Sequence, residues 1–105
     1  MFRATTPTHQ FVFADDPDEF SRILITYSQG GEIVLEKEKT DLTIEQTGGG
    51  RFRAFYTLTQ EESSLFFAGT DVLVQVRALT SDGIAVASEI KRLRVDDVLN
   101  DEVLS

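Results

Sequence analysis

Residues 22–37, which read RILITYSQGGEIVLEK, decide the fold class of this chain. Apolar residues alternate with polar ones on both sides of two glycines, a pattern typical of two antiparallel strands joined by a tight turn. A three-residue Gln-Gly-Gly loop would pair Tyr27 with Ile33 and Ile25 with Leu35, placing all four side chains on one face. We therefore predict a hairpin with this register and with a glycine at a bulge position.

Short runs of the same kind recur from Gln10 to Val95, separated by turn signals such as three consecutive glycines and an Asp-Gly pair. Evenly spaced short strands with Gly-rich turns indicate a sandwich or a barrel. We predict an all-β fold, an immunoglobulin-like or fibronectin-III-like antiparallel β-sandwich of seven or eight strands. Because the chain has no Cys and no Trp, it lacks the Cys–Trp–Cys core of antibody domains. The prediction therefore concerns the architecture and not the protein family. The predicted strands cover residues 10–14, 22–28, 32–37, 42–44, 51–58, 71–79, 84–87 and 90–95.

The sequence also predicts one short helix between two strands. Thr59 and Glu62 have the spacing of a capping box, in which the two residues satisfy backbone N–H groups of the first turn reciprocally. We expect this helix to cover about residues 60–67 and to pack Leu65 and Phe66 on the sandwich.

Composition divides the chain into three segments. Residues 1–8 are rich in Thr, contain a Pro and lack periodicity, so we predict a flexible N-terminal arm. Residues 9–95 form the predicted β-sandwich domain, in which Asp16 before Pro17 indicates a capped helical turn after the first strand. Residues 96–105 form an acidic and apolar C-terminal tail with no evident strand partner.

Charge and hydropathy argue against several classes of partner. Ten Lys and Arg against 18 Asp and Glu give a net charge of −8, which opposes the phosphate neutralisation that nucleic-acid binding needs. No apolar run approaches the length of a membrane span, and the first residues lack the apolar core of a signal peptide. We therefore expect neither a nucleic-acid nor a membrane partner, and we expect a protein that is cytoplasmic when synthesised.

Few residues carry chemistry. His9 is the one histidine, and we expect it to be solvated beside the first strand, which disfavours a histidine triad or an imidazole metal site. The acidic stretch at residues 15–19 leaves two interpretations, Ca²⁺ ligands or the solvated acids of a capped turn, and its spacing fits no EF-hand. We therefore expect no cofactor, no metal and no enzymatic activity.

Two features indicate protein partners. Five arginines alternate with core positions, so we expect them to point outward and, if their strands are neighbours, to form a basic stripe: Arg51, Arg53, Arg77, Arg92 and Arg94. Such a stripe would either pair with acids across strands or dock on an acidic surface, including that of a second copy. The tail holds four large apolar residues that either fold back on the domain or insert into a partner: Val98, Leu99, Val103 and Leu104.

The order of several motifs along the chain resembles that in a known group of proteins. These motifs are the Asp-Pro turn and the segments Ile23–Gly31, Leu58–Glu62, Val74–Arg77, Asp82–Gly83, Ala87–Ser88 and Val95–Leu99. From about residue 10 to residue 104 the chain resembles small uncharacterised proteins encoded among the structural genes of prophages and bacteriophages of gut bacteria. The resemblance implies a virion-associated or tail-associated β-sandwich, and it carries over no functional residue.

Two functions remain open at this point. The first is a non-enzymatic structural or adaptor protein of phage or prophage origin that self-associates, as a homo-oligomer, or docks into a larger assembly with phage structural proteins. The alternative is a free-standing binding module that recognises a carbohydrate or a peptide through its end loops, at residues 15–19, 46–50 and 81–83.

Overall fold

The repeated alternation produces eight strands in the computed structural model, which describes residues 1–105. The strands are β1 (Thr8–Phe13), β2 (Phe20–Gln29), β3 (Glu32–Glu38), β4 (Thr43–Gly48), β5 (Arg51–Thr57), β6 (Val72–Thr80), β7 (Ala85–Ala87) and β8 (Lys91–Leu93). Helical structure is limited to one α-helical turn, α1 (Gln60–Ser63), and two 3₁₀ turns, at Pro17–Glu19 and Lys39–Asp41. The first 3₁₀ turn is capped by the Asp16 side chain, as predicted. Every predicted strand is present, with shifted ends.

Two antiparallel sheets form the sandwich. One has the order β1-β5-β4, and the other has the order β3-β2-β6, with β7 and β8 both paired to the remaining edge of β6. In immunoglobulin lettering, these are the sheets BED and C′CFG, joined in the same chain order. The predicted immunoglobulin-like all-β sandwich is therefore confirmed. Strand A, which pairs with strand B in that fold, has no counterpart beside β1.

The core lies between the inner faces of β2, β5 and β6. Alternate residues of β2 and β6 are buried, as the sequence pattern predicted, and they meet Tyr56 of β5 and Phe66 of the following loop. Twelve buried residues form the core cluster: Phe20, Ile23, Ile25, Tyr27, Tyr56, Leu58, Phe66, Val72, Val74, Val76, Ala78 and Val95. The burial of these twelve apolar side chains between the two sheets stabilises the fold.

The turn of the β2–β3 hairpin differs from the prediction. Its loop has two residues, Gly30 and Gly31, both with the positive φ of a type I′ turn, 62° and 80°. A bulge beside Tyr27 then shifts the register by one, so that Tyr27 lies opposite Leu35 on the inner side. Ile33 instead lies opposite a serine on the outer face, where it is exposed. The predicted three-residue loop and both predicted residue pairs are wrong. A bulge in the hairpin, and not a longer loop, brings the apolar side chains beyond the turn back to the inner face.

The predicted capping box is present, but the helix is shorter than predicted. The Glu62 N–H donates to Thr59 Oγ1 over 3.1 Å, and the Thr59 N–H donates to Glu62 Oε1 over 3.0 Å. The α-helix ends at Ser63 instead of extending to about residue 67. Leu65, which was expected to pack on the sandwich, is 52% exposed.

Side chains that are distant in sequence explain the early end of α1. Arg3 donates to the carbonyl oxygens of Ser64 and Phe66, over 3.1 and 2.7 Å. Gln29 donates to the carbonyl oxygen of Phe67 and accepts from its N–H, both over 2.7 Å. Because these tertiary hydrogen bonds satisfy the backbone groups that a second helical turn would use, the chain leaves the helix.

The N-terminal segment, for which the composition predicted a flexible arm, is hydrogen-bonded to the domain. The Arg3 N–H donates to the Asp96 carbonyl over 2.9 Å, and the Asp96 N–H donates to the Met1 carbonyl over 2.8 Å. Thr5 exchanges hydrogen bonds of 3.0 and 2.7 Å with the buried hydroxyl of Ser63. The segment is thus hydrogen-bonded both to α1 and to the chain that follows β8.

Candidate functional site

The two sheets diverge on one side of the sandwich and leave an apolar cleft of about 660 Å³. Phe11 and Phe13 of β1 form one wall, and Val74 and Val76 of β6 form the other, while the half-exposed Val86 of β7 lies at the mouth. Binding sites are usually concave and mostly apolar, with volumes of roughly 300–1,000 Å³. The cleft is therefore the candidate functional site of this molecule.

The opposite side of the sandwich is closed. There the chain passes directly from β3 to β4 through a 3₁₀ turn, and Leu35 and Leu42 pack against the core. Lys37 and Glu62 form an ion pair of 2.5 Å across the gap between the sheets. Burial alone would raise the pKa of Glu62, but the hydrogen bonds from Lys37 and from the Thr59 backbone outweigh burial and hold this pKa below its ordinary value. The opening is thus confined to the β1 side.

β1 borders the cleft as an unprotected edge strand. It pairs with β5 on one side only, and its sequence THQFVF contains neither a charged residue nor a proline. The edge strand β3 has four charged residues out of seven, and β8 has two out of three. Proteins usually protect free edges with charges, prolines or bulges, because unpaired N–H and C=O groups accept another strand. β1 is therefore the longest edge strand that has neither a charged residue nor a proline, since the uncharged edge strand β7 has three residues.

The floor of the cleft contains the one histidine. His9 faces inward from β1, and its Nδ1 lies 2.6 Å from the hydroxyl oxygen of Tyr27. The rings of Tyr27 and Tyr56 lie 5.7 and 6.1 Å from the imidazole. Burial, with a smaller effect from the N-terminal charge, lowers the pKa of His9, and burial raises the pKa of Tyr27. The expectation of a solvated histidine is therefore wrong, because His9 is one of the alternate β1 residues whose side chains face the interior.

The strand that faces β1 across the cleft is interrupted. At the break, the Ser88 N–H donates to the Val76 carbonyl over 2.8 Å, and Ser88 Oγ accepts from the Val76 N–H over 3.0 Å. Pairing with β6 resumes at Lys91, opposite Val74. The Lys91 side chain consequently points to the inner side and lines the cleft, with 74% of its surface exposed. The cleft lining thus includes Lys91, whose ammonium lies 3.5 Å from the exposed carboxylate of Glu89, and the acidic residue Asp15.

The five arginines do not form one stripe. Arg51 and Arg53 lie on the outer face of the three-stranded sheet, whereas Arg77 and Arg92 lie on the outer face of the other sheet. Arg94 follows β8 and contacts Asp96 at 3.0 Å. Their outward orientation agrees with the alternation, but their strands belong to opposite sides of the sandwich. Arg53 pairs with Glu45 at 2.5 Å, which matches the interpretation of cross-strand pairing.

The C-terminal tail makes polar contacts with the domain. Asp97 and Asp101 contact Arg3 at 3.1 and 3.6 Å, and the backbone of Leu104 exchanges two hydrogen bonds with the Gln60 side chain. Leu99 is fully exposed. Of the other predicted tail residues, Val98 is half-buried, and the exposed ones are Val103 and Leu104.

The three end loops meet at one end of the sandwich. Ser81 donates to the Glu19 carbonyl from both its N–H and its hydroxyl, over 3.1 Å in each case, and the β4–β5 turn lies at the same end of the sheets. Phe20, the aromatic residue next to these loops, is buried and lines the cleft. No group of three or more His, Asp or Glu side chains is arranged to hold a metal ion, here or elsewhere.

The cleft residues Phe11, Phe13, Val86 and Lys91 were not predicted as a site. The signal that the sequence does contain is the absence of charge from the first strand. No helix of this structure has the length and apolar character needed to cross a membrane. Comparison with models of known protein families and with curated proteins gives no match for this chain.

Proposed function

We propose that this protein is a non-enzymatic structural or adaptor domain that docks into a larger protein assembly of phage or prophage type. The single observation that carries the docking function is the unprotected edge of β1 beside an apolar cleft. A strand added to β1 would occupy the place of the absent strand A and would cover the exposed part of Val86. The phage or prophage class rests on the sequence resemblance.

The distribution of apolar side chains supports docking. Twelve large hydrophobic residues are exposed, as many as the residues in the buried core cluster. Four of the twelve surround the cleft or its broken edge strand: Val12, Ile84, Val86 and Ile90. Contiguous exposed apolar surface on a soluble domain commonly marks an interaction site.

The alternative of a carbohydrate- or peptide-binding module has one favourable observation, since the three end loops lie at the same end of the sandwich. Against it, these loops contain no exposed aromatic side chain on which a sugar could stack. The cleft has the apolar walls and the free backbone that a protein segment requires, so docking is the function with stronger support.

Light scattering across a range of concentrations tests the docking function. We expect the wild-type protein to associate with itself or with the products of neighbouring genes, and Val86→Asp in the cleft to abolish this association. Ile33→Asp is the matched control, because Ile33 is also an exposed apolar residue but lies at the closed side, on β3. A wild-type protein that stays monomeric at every concentration, and in every such mixture, would refute the proposal.

A further inference from the structure

We propose that protonation of His9 loosens the edge strand β1 and weakens docking at the cleft, so that acid disfavours the docked state. This inference rests on the proposed docking function and concerns the regulation of that same site. Three features of the structure carry it: the position of one hydrogen bond, the groups that face the imidazole, and the place of His9 in the lining of the cleft.

The bond between His9 and Tyr27 is the side-chain hydrogen bond that joins the two sheets directly. His9 lies on β1 in one sheet and Tyr27 on β2 in the other, with 2.6 Å between Nδ1 and the hydroxyl oxygen. The other long-range bonds near the core, such as those of Lys37 and Gln29, run from a strand to α1 or to the loop after it. Because β1 pairs with β5 on one side only, the His9–Tyr27 bond connects an edge strand to the opposite sheet.

Hydrogen-bond accounting assigns the protons of this pair. Tyr27 is fully buried, and its hydroxyl has no other partner, so its proton needs Nδ1 of His9 as the acceptor. The neutral imidazole therefore carries its own proton on Nε2. Protonation of Nδ1 turns this nitrogen into a donor, and the buried Tyr27 proton then loses its acceptor.

No carboxylate pairs with His9 to stabilise an imidazolium. The imidazole lies between the rings of Tyr27 and of Tyr56, its neighbour on β5, and the β6 side chains that line the cleft are apolar. The charged groups around these rings and along the cleft are the N-terminal ammonium, Lys37 of β3, Glu62 of α1, Lys91 of β8 and Asp15 after β1.

These surroundings favour the neutral imidazole. Lys37 and Glu62 neutralise each other, while burial and the N-terminal charge lower the pKa of His9. A buried cation without a partner is costly, so a protonated His9 is stabilised by greater contact with water. The edge strand that carries His9 can provide this contact by moving outward, because local opening requires less free energy than global unfolding.

Docking would remove the water that His9 still contacts. His9 is half-buried and lines the cleft, so a strand beside β1 would cover the rest of the imidazole. The pKa of His9 would then be lower in the docked state than in the free one, and only the free protein would take up the proton as the pH falls. Docking is therefore strongest above the free-state pKa and weakens below it. Acid also reduces the net charge of −8, which by itself would favour association, so a weakening in acid is diagnostic.

The backbone pattern of β1 gives separate signals for loosening and for docking. The Leu58 N–H donates to the Pro7 carbonyl over 2.9 Å, and antiparallel pairing makes every second residue bond in this way. The β1 amides that point to β5 are those of His9, Phe11 and Phe13. The β1 amides that point to the free edge are those of Thr8, Gln10 and Val12. Exchange of the first set reports loosening of β1, and exchange of the second set reports docking.

The test measures amide hydrogen exchange of the wild type and of His9→Gln, in dilute and in concentrated protein. Protection factors are used, because they remove the intrinsic effect of pH on exchange. In the dilute wild type, protection of Phe11 and Phe13 should fall severalfold between about pH 7.5 and 5.5, towards the limit of about tenfold per pH unit for one proton. The Arg53 and Phe55 amides, which point from the same sheet to β4, are the control and should lose less.

His9→Gln should lose the pH dependence, because the glutamine stays uncharged and its carbonyl can accept from Tyr27. In concentrated protein, the protection that docking gives to Gln10 and Val12 should weaken in acid for the wild type and stay constant for His9→Gln. Two measurements guard against misfolding of this variant. ¹⁵N NMR of the wild-type imidazole should show the Nε2–H tautomer at neutral pH, and Tyr27→Phe should reduce protection of Phe11 at neutral pH.

The outcomes separate this inference from the proposed function. If the wild type associates equally well at both pH values, or if His9→Gln shows the same pH dependence, docking stands and this inference is overturned. An Nδ1–H tautomer, or an equal loss of protection at Phe11 and at the control amides, also overturns it. If no association occurs at any pH, the docking function fails, and its regulation by His9 fails with it.

Discussion

His9 shows how the phase of a strand decides the chemistry of one residue. Its neighbours in β1 alternate between the cleft and solvent, and the alternation places the imidazole on the inner side against Tyr27. Burial therefore lowers its pKa. In the sequence, His9 follows closely on Pro7 and the segment without periodicity. Nothing local indicates that β1 begins early enough to include His9 and bury it.

The neutral imidazole of His9 should make stability depend on pH. The folded-state pKa is below the ordinary value of 6.5, so only the unfolded chain takes up this proton as the pH falls from about 6.5 towards the folded-state pKa. The contribution of His9 to stability is thus complete above about pH 6.5 and declines below it. Melting temperatures between about pH 5 and 7.5 should fall with acidity in the wild type and much less in His9→Gln. Equal slopes for the two proteins would contradict this account.

At the scale of elements, the turn after α1 is fixed by side chains from other parts of the chain. Ser63 holds the N-terminal segment, with its hydroxyl donating to the Thr5 carbonyl and accepting from the Thr5 N–H. The hydroxyl of the adjacent Ser64 is buried and has no hydrogen-bond partner. Two neighbouring serines therefore differ in what their hydroxyls contribute.

This difference predicts opposite effects of the same substitution. Ser63→Ala should reduce the free energy of unfolding by about 1–3 kcal/mol, because it leaves the Thr5 N–H without its partner. Ser64→Ala should be neutral or slightly stabilising, because it removes a buried hydroxyl that makes no hydrogen bond. Urea denaturation of the two variants measures both effects. A loss for Ser64→Ala as large as that for Ser63→Ala would show that the turn is not held in this way.

Much of the element order could be predicted because it depends on local signals. Alternation identified the strands, and the Thr59–Glu62 spacing identified the capping box. The hairpin register could not be predicted, because a bulge allows a two-residue turn and the apolar phase to coexist. The end of α1 also could not be predicted, because it depends on Arg3 and Gln29, which are distant in sequence.

The whole molecule is an open sandwich. Its radius of gyration is 14.8 Å, larger than the roughly 13 Å expected for a compact chain of this length, and its dimensions are 47 × 29 × 21 Å. Three strands face a wider sheet, so part of the inner face of β6 and β7 lines a cleft. The sequence indicated the sandwich but not the opening, because nothing local shows that the N-terminal segment binds near Asp96 and leaves no strand A beside β1. The outward arginines were predicted individually, yet only the sheet order shows that they lie on opposite faces.

Amide hydrogen exchange, compared between dilute and concentrated protein, tests the docking account most directly. If the free edge of β1 receives a strand, residues 8–13 should become protected at high concentration, together with residues near Lys91. The closed-side edges β3 and β4 should keep the same exchange rates. Protection of β3 or β4 instead, or association without any change in β1, would contradict the account.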